Sequence, residues 1–305
     1  MKILVVGGNG QLGWELNRRG RDNSLDILSL DLPEIDIADP FSVKKNIAHS
    51  RASLVINAAA YTAVDRAESE EGLAYAVNKD GPAYLASECK EAGIPLIHVS
   101  TDYVFDGSKK GPYLETDPVS PLGVYGRSKA AGEEEIGNRL KEHIILRTAW
   151  LYGVHGSNFV KTMLHLGKER QSLSVVADQN GCPTYAADLA EAILTIADHI
   201  RKGMEAAWGT YHFCGGGATT WHGFAEAVFK IAGRYESFHV KEVIPISTSE
   251  YPTPARRPHN SVLDCSLLRK NFGINPPPWE ESLAVMLREL LGKKADEPED
   301  NEKTG

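Results

Sequence analysis

Four cysteines in 305 residues, at 89, 182, 214 and 265, are too few and too scattered to form a disulfide framework or a thiolate metal site. They read as free thiols, as expected of a cytoplasmic protein. No apolar run reaches the length of a membrane span, and Met1-Lys2 leads straight into a strand-like segment, so no secretory leader is expected. No 20–50-residue repeat is evident, which sets solenoid architectures aside. Positive charge is in short supply. With 33 Lys and Arg against 41 Asp and Glu, the net charge of −8 argues against nucleic-acid binding and means that any anionic ligand must be met by local arginines. Neither a membrane nor a nucleic acid is an expected partner. Hydrophobic content of 42% and charged content of 24% suit a soluble globular chain large enough for one large or two smaller domains.

What is present begins at the first residues. Lys2-Ile3-Leu4-Val5-Val6 is a β-branched apolar run of the kind buried in a parallel sheet. Glycines 7, 8, 10 and 13 follow, and Gln11 to Arg19 reads as a helix with Leu12 and Leu16 on one side. Strand, glycine turn and helix N-terminus together make a site for a dinucleotide pyrophosphate. An ordinary tight turn is the plainer alternative. A second strand, Leu25 to Leu30, ends at Asp31, 18 residues beyond Gly13, where an acid can accept from adenosine ribose hydroxyls or simply cap a turn.

Strand-like and helical stretches then alternate. Strands are predicted at Leu54–Asn57, Pro95–Ser100 and Ile144–Thr148, and helices at Leu73–Ala92, closed by Gly93, and Pro121–Leu140. This alternation predicts an α/β fold, a Rossmann-like doubly wound parallel sheet over residues 1–150, with ligands outside the strand C-termini. Beyond Trp150 the pattern becomes mixed. Helices are predicted at Asn158–Arg170, Ala186–His199 and Trp221–Ile231, strands at Leu173–Ala177 and Gly209–Phe213, and a Pro- and Arg-rich loop at Tyr251–Pro258. Residues 151–292 read as a smaller mixed α/β substrate-binding lobe, with elements near 173–215 returning to the main sheet. Residues 293–305, charged and poor in large apolar side chains, read as a disordered tail.

Tyr125-Gly-Arg-Ser-Lys129 puts a phenol and an ammonium on one helix face, where the lysine would lower the phenol pKa. Thr101, at a strand end 24 residues earlier, can come back beside Tyr125 on a doubly wound sheet and hydrogen-bond a substrate oxygen. A proton donor next to a nicotinamide site points to carbonyl–alcohol redox chemistry.

This ordered set resembles the extended short-chain dehydrogenase/reductases. Six segments narrow the resemblance: Gly10-Gln-Leu-Gly-Trp-Glu-Leu16, Asn57-Ala-Ala-Ala-Tyr-Thr-Ala-Val-Asp65, Ser100-Thr-Asp-Tyr-Val-Phe-Asp-Gly107, Val124-Tyr-Gly-Arg-Ser-Lys-Ala-Ala-Gly-Glu133, Asn158-Phe-Val-Lys-Thr-Met163 and Tyr251-Pro-Thr-Pro-Ala-Arg-Arg-Pro258. Together they are similar to the dTDP-4-dehydrorhamnose reductase family. The resemblance implies reduction, with NADPH or NADH, of the C4 ketone of dTDP-4-dehydro-6-deoxy-L-mannose to dTDP-L-rhamnose, the last step of dTDP-rhamnose synthesis, by a monomer or homodimer. It implies that Tyr125 donates the proton, that Lys129 supports it and holds the nicotinamide ribose, and that Thr101 bonds the carbonyl. It also implies that Gly7, Gly10, Gln11, Leu12 and Gly13 meet the pyrophosphate, Asp31 the ribose, Asp36 and Ile37 the adenine region, and Ala60, Tyr61 and Thr62 the cofactor channel. Tyr61 stands where histidine is common in close relatives. Asp102, Tyr103 and Trp150 are implied to contact the sugar nucleotide, with simple core packing the alternative for Trp150.

The substrate pyrophosphate needs cations, and Arg256 and Arg257 are the candidates, with Lys161 a weaker one. Some members bind Mg2+ through acids at a dimer interface. Glu15 and Glu191 fit that pattern, and two surface glutamates on helices is the alternative. The rival functions are a sugar-nucleotide epimerase or dehydratase of the same superfamily, and a non-catalytic subunit like the one beside methionine adenosyltransferase.

Overall fold

The computed structural model describes residues 1–23, 25–203 and 207–295. Four buried, mostly apolar strands and a half-buried edge strand form the sheet's first five members: β1 (Lys2–Val6), the edge strand β2 (Asp26–Leu30), β3 (Leu54–Asn57), β4 (Leu96–Thr101) and β5 (His143–Thr148). With Gly209–His212 they make one parallel sheet, ordered Gly209–His212, β5, β4, β3, β1, β2. The order reverses at β1, so a crevice opens at the strand C-termini between β1 and β3. Register aligns those ends: Val6 sits beside Asn57, and Thr101 beside Thr148.

Because both faces are covered, the strands are apolar nearly throughout. Ile3, Val5, Ile56 and Leu146 pack under α1 (Gln11–Asp22) and the Ala186–Arg201 helix, while Leu4, Val55, Leu96 and Ile145 face the opposite layer with Val43 and Leu85. Each such side chain, fully removed from water, contributes about 1.5–3 kcal/mol.

The long Leu73–Ala92 helix expected from the sequence is broken. A short helix, Glu71–Tyr75, passes through a π turn at Ala76–Asp80 into Gly81–Ala92. Pro82 has no N–H for the carbonyl one turn back, and the wider turn absorbs that loss. Gly93 ends the run at φ +65°, a left-handed cap that glycine adopts without strain.

The second half builds its own core. Helices Phe159–Glu169, Trp221–Ala232 and Trp279–Ala295 enclose Val160, Leu164, Phe224, Val228 and Leu287. Of the segments expected to return to the main sheet, Gly209–His212 does so along β5. Ser172–Val176 instead pairs in parallel with Glu242–Ile246, a partner seventy residues on that its own sequence does not announce. The last helix runs through Ala295, three residues into the segment expected to be a disordered tail; residues 296–305 lie outside the described part of the chain.

Candidate active site

A cavity of about 820 Å³ lies across the strand C-termini, where β1, β3, β4 and β5 end. Gly7 opens one wall at φ +88°, and a Cβ there would sit 2.5 Å from the Ala59 nitrogen, so the turn and the segment after β3 approach as only glycine allows. α1 begins at Gly10 with no side-chain cap. Its first N–H groups are therefore left to a ligand, and Gly10, Gln11 and Leu12 line the cavity. Gly13 lies outside the lining. A Cβ on it would come within 2.1 Å of the Gly7 carbonyl oxygen, so its role is to seat the helix against the turn. Asp31 lines the cavity with its carboxylate fixed by two backbone donors, Asn9 N–H at 2.8 Å and Leu32 N–H at 2.8 Å. Asp36, Ile37, Ala60, Tyr61 and Thr62 complete that side. The Tyr61 hydroxyl is already committed, donating to Glu70 at 2.7 Å. These features fit a dinucleotide: uncapped helix N–H groups for the pyrophosphate and a fixed acid for a ribose.

Thr101, Tyr125 and Lys129 meet on the opposite wall. Thr101 ends β4, and Tyr125 and Lys129 lie in the first turns of the Val124–Arg139 helix that returns over it. Gly126 permits the approach, since a Cβ there would meet the Tyr103 carbonyl oxygen at 2.2 Å. Burial pushes the Tyr125 phenol up to about 12, opposed by a hydrogen bond with Thr101. This corrects the expected lysine-lowered phenol: desolvation outweighs the stabilising contacts, and Lys129 is not among the groups that shift it. The phenol is accordingly protonated at neutral pH, as a proton donor must be. Lys129 is 1% exposed; burial lowers its ammonium to about 8, opposed by Glu133, and it donates to the Val99 carbonyl at 2.7 Å. Asp102 is buried beneath Thr101, whose hydroxyl donates to it at 2.9 Å, and burial raises its carboxyl to about 6.

The remaining wall belongs to the second half of the chain. Trp150 lies in the lining at φ +47° and stacks on Trp221 with ring centroids 3.6 Å apart. Gly181 leaves room for it, because a Cβ would strike the indole at 2.4 Å. Tyr103 lines the cavity and meets the Tyr125 ring edge-on at 5.5 Å. Arg256 and Arg257 lie outside the lining. Arg256 is exposed, whereas Arg257 pairs with Asp65 at 2.8 Å and hydrogen-bonds Tyr103. The Lys161 ammonium is spent on the carbonyls of Val154 and Gly156. Trp221, Asn9 and Ser157 were not anticipated; Trp221 carries no motif, and a tryptophan at a helix start gives no sign of which distant ring it will meet.

Glu15 and Glu191 do not fit a metal ion. Glu15 is buried with Arg18 at 2.8 Å and Arg19 at 3.5 Å, and Glu191 faces Arg19 at 3.4 Å, so arginines already supply the positive charge. Among the described residues no group of three or more His, Cys, Asp or Glu is placed to hold a metal.

A doubly wound parallel sheet, a glycine turn at an uncapped helix and a Thr–Tyr–Lys wall define a short-chain dehydrogenase/reductase of the extended, nucleotide-sugar type. The family described as the RmlD substrate binding domain matches residues 1–291, and the chain belongs to it, among the dTDP-4-dehydrorhamnose reductases. It is 45% identical over 298 residues to a dTDP-4-dehydrorhamnose reductase of Sinorhizobium fredii, covering 97% of this chain and 100% of that one. The Escherichia coli K12 enzyme of that name is 41% identical over 298 residues, covering 95% and 98%. A Bacillus anthracis dTDP-4-dehydrorhamnose reductase solved in complex with NADP superposes with a TM-score of 0.88 at 39% identity, over 95% of this chain and 100% of that one. A Thermus thermophilus UDP-glucose 4-epimerase, at 24% identity and a TM-score of 0.77 over 96% of this chain and 99% of that one, shares the fold.

Proposed function

We propose that this chain reduces the C4 ketone of dTDP-4-dehydro-6-deoxy-L-mannose to dTDP-L-rhamnose, the last step of dTDP-rhamnose biosynthesis, as a soluble cytoplasmic monomer or homodimer. The observation that carries the reading is the convergence of Thr101, Tyr125 and Lys129 on the wall facing the uncapped glycine turn, in a chain similar to these reductases over nearly its full length. NADPH or NADH, when bound, supplies the hydride. The protein's part is to hold the ketone and move a proton. The Tyr125 phenol, and the Thr101 hydroxyl once its single proton turns from Asp102, bracket the ketone oxygen. As charge builds there, Tyr125 gives up its proton; a phenol near 12 is still far more acidic than an alcohol, so the transfer runs toward product.

The test is an assay with the 4-keto sugar nucleotide, reduced cofactor and identification of the sugar formed. Stoichiometric loss of reduced-nicotinamide absorbance with formation of the 4-hydroxy sugar is expected. A product formed with no net cofactor loss would instead mark an epimerase or dehydratase.

Cofactor choice turns on Asp31, which favours ribose hydroxyls and repels a 2′-phosphate. Arg18 and Arg19, which could soften that repulsion, are engaged by Glu15, Glu191 and Glu289. NADH is expected to be accepted with a KM no higher than that of NADPH, and Asp31→Asn to lower the KM for NADPH about tenfold. A wild-type KM for NADPH far below that for NADH would overturn this assignment of Asp31.

For the substrate pyrophosphate, the geometry favours Arg257 over Arg256. Its Nη1 is buried with no partner among the described residues, a donor free for a phosphate oxygen. Arg257→Ala is expected to raise the KM for the sugar nucleotide about tenfold, roughly 1.4 kcal/mol, and Arg256→Ala to raise it less, with cofactor affinity unchanged. If both variants bind substrate like the wild type, the pyrophosphate is held elsewhere.

A further inference from the structure

Behind Lys129, away from the cavity, lies a buried polar chain that the proposed reaction does not use. His98, on β4, is 0% exposed, and its Nε2 is 3.2 Å from Lys129 Nζ. Its Nδ1 is 3.0 Å from the side-chain nitrogen of Asn57, at the end of β3. Asn57 is also 0% exposed, and its side-chain oxygen accepts the Ala59 N–H at 3.1 Å.

That last bond fixes the amide. With the oxygen on Ala59, the NH2 group faces His98, so Nδ1 must accept. A neutral imidazole carries one proton, which then sits on Nε2 and points at Lys129. An Nε2–H donor suits the lone pair of an amine and opposes an ammonium. The opposite tautomer would turn Nε2 into an acceptor for the ammonium, but it would set Nδ1–H against the Asn57 NH2, or flip the amide and strand the Ala59 N–H. Each alternative leaves buried donors facing one another, which is unfavourable wherever one stays unsatisfied.

We propose that His98 is a positioning residue for the proton-donating pair: locked by Asn57 as the Nε2–H tautomer, it presents a donor to Lys129 and so disfavours the ammonium. Burial acts in the same direction on both groups, keeping His98 neutral and lowering Lys129 to about 8. The other charges are few. Glu133 on the same helix raises Lys129 but is itself paired with Arg147 of β5. His143, also on β5, opposes charge on His98, and Asp102 acts on Tyr125. Lys129 is thereby kept exchanging its proton near neutral pH. This rests on the reductase reading, yet its core is measurable without turnover.

In the full chain with 15N-labelled histidine, the long-range spectrum at neutral pH is expected to show His98 with its proton on Nε2. A proton on Nδ1, or a doubly protonated ring, overturns the proposal, and this measurement needs no variant. Asn57→Asp replaces the donor facing Nδ1 with an acceptor. It is expected to switch the ring to Nδ1–H and to raise the Lys129 pKa, read from its labelled Cε resonance, by about one unit or more. The same substitution in a His98→Leu background reports the through-space charge alone and is expected to move Lys129 less than half as far. Equal movement in the two backgrounds overturns the proposal. In the assay, the alkaline limb of kcat, where Lys129 loses its proton, is expected to move up with the resonance. Absence of turnover, with the tautomer as expected, would count against the reductase reading and leave the His98 assignment standing.

Discussion

Tyr125→Phe is expected to fold normally, bind cofactor as tightly as the wild type, and lose about 10²–10⁴-fold in kcat. The substitution removes one oxygen. The ring keeps its edge-on contact with Tyr103 and its place beside Ala74 and Val124. Thr101 keeps its own anchor, because its hydroxyl donates to Asp102 rather than depending on Tyr125. What disappears is the proton at the ketone oxygen. Lys129 does not replace it from where it sits, since its Nζ is turned to the Val99 carbonyl and His98. Single-turnover kinetics would place the loss in the chemical step, and an unchanged melting temperature would exclude a folding defect. A variant with near wild-type kcat would end the general-acid role assigned here.

Much of this site was legible because its parts are local. β1 and β3 fall at the predicted residues, and the glycine turn after β1 is a contiguous motif whose geometry follows from missing Cβ atoms. Tyr125 and Lys129 needed only helical periodicity, and Thr101 only a strand end. The remainder depends on pairings that are distant in sequence. Asp65 meets Arg257 across 192 residues, which braces that arginine beside Tyr103 with its Nη1 unpartnered among the described residues and leaves its neighbour Arg256 exposed, a distinction between the two that their adjacency in sequence does not show. Cys182, Cys214 and Cys265 were set apart by their spacing, yet Cys214 and Cys265 come within 3.7 Å and all three share one apolar cluster. Asp102 was expected as a contact for the sugar; it lines the cavity, and its burial and its role as acceptor for Thr101 are set by which face of the turn after β4 points inward, which the sequence does not show. The phenol pKa went the other way from expectation because desolvation depends on three-dimensional burial, which a Tyr-x-x-x-Lys spacing does not encode.

The largest stability effect is expected from the ion pair beneath the site. Glu133 and Arg147 were ordinary charged residues in the sequence, but their side chains are only 8% and 5% exposed. Their contact is bidentate, with Arg147 Nη2 and Nε donating to Glu133 at 2.6 and 2.9 Å, and the guanidinium lies over the Phe105 ring at 5.1 Å. Such a pair gains little net stability over an apolar replacement, because desolvating two ions offsets their attraction. Breaking it is another matter. Glu133→Ala leaves a guanidinium that cannot shed its proton, in a place where Nη1 already has no partner among the described residues. A loss of about 3–5 kcal/mol in unfolding free energy is expected, measured by urea titration. Replacing both ions, Glu133→Leu with Arg147→Met, is expected to recover most of that loss, since no buried charge then remains. The double variant separates two explanations that the single one does not: if it is as unstable as Glu133→Ala, the damage comes from lost packing at this site rather than from an uncompensated charge. A single variant that loses less than about 1 kcal/mol would mean that water reaches the pair and screens it as at a surface.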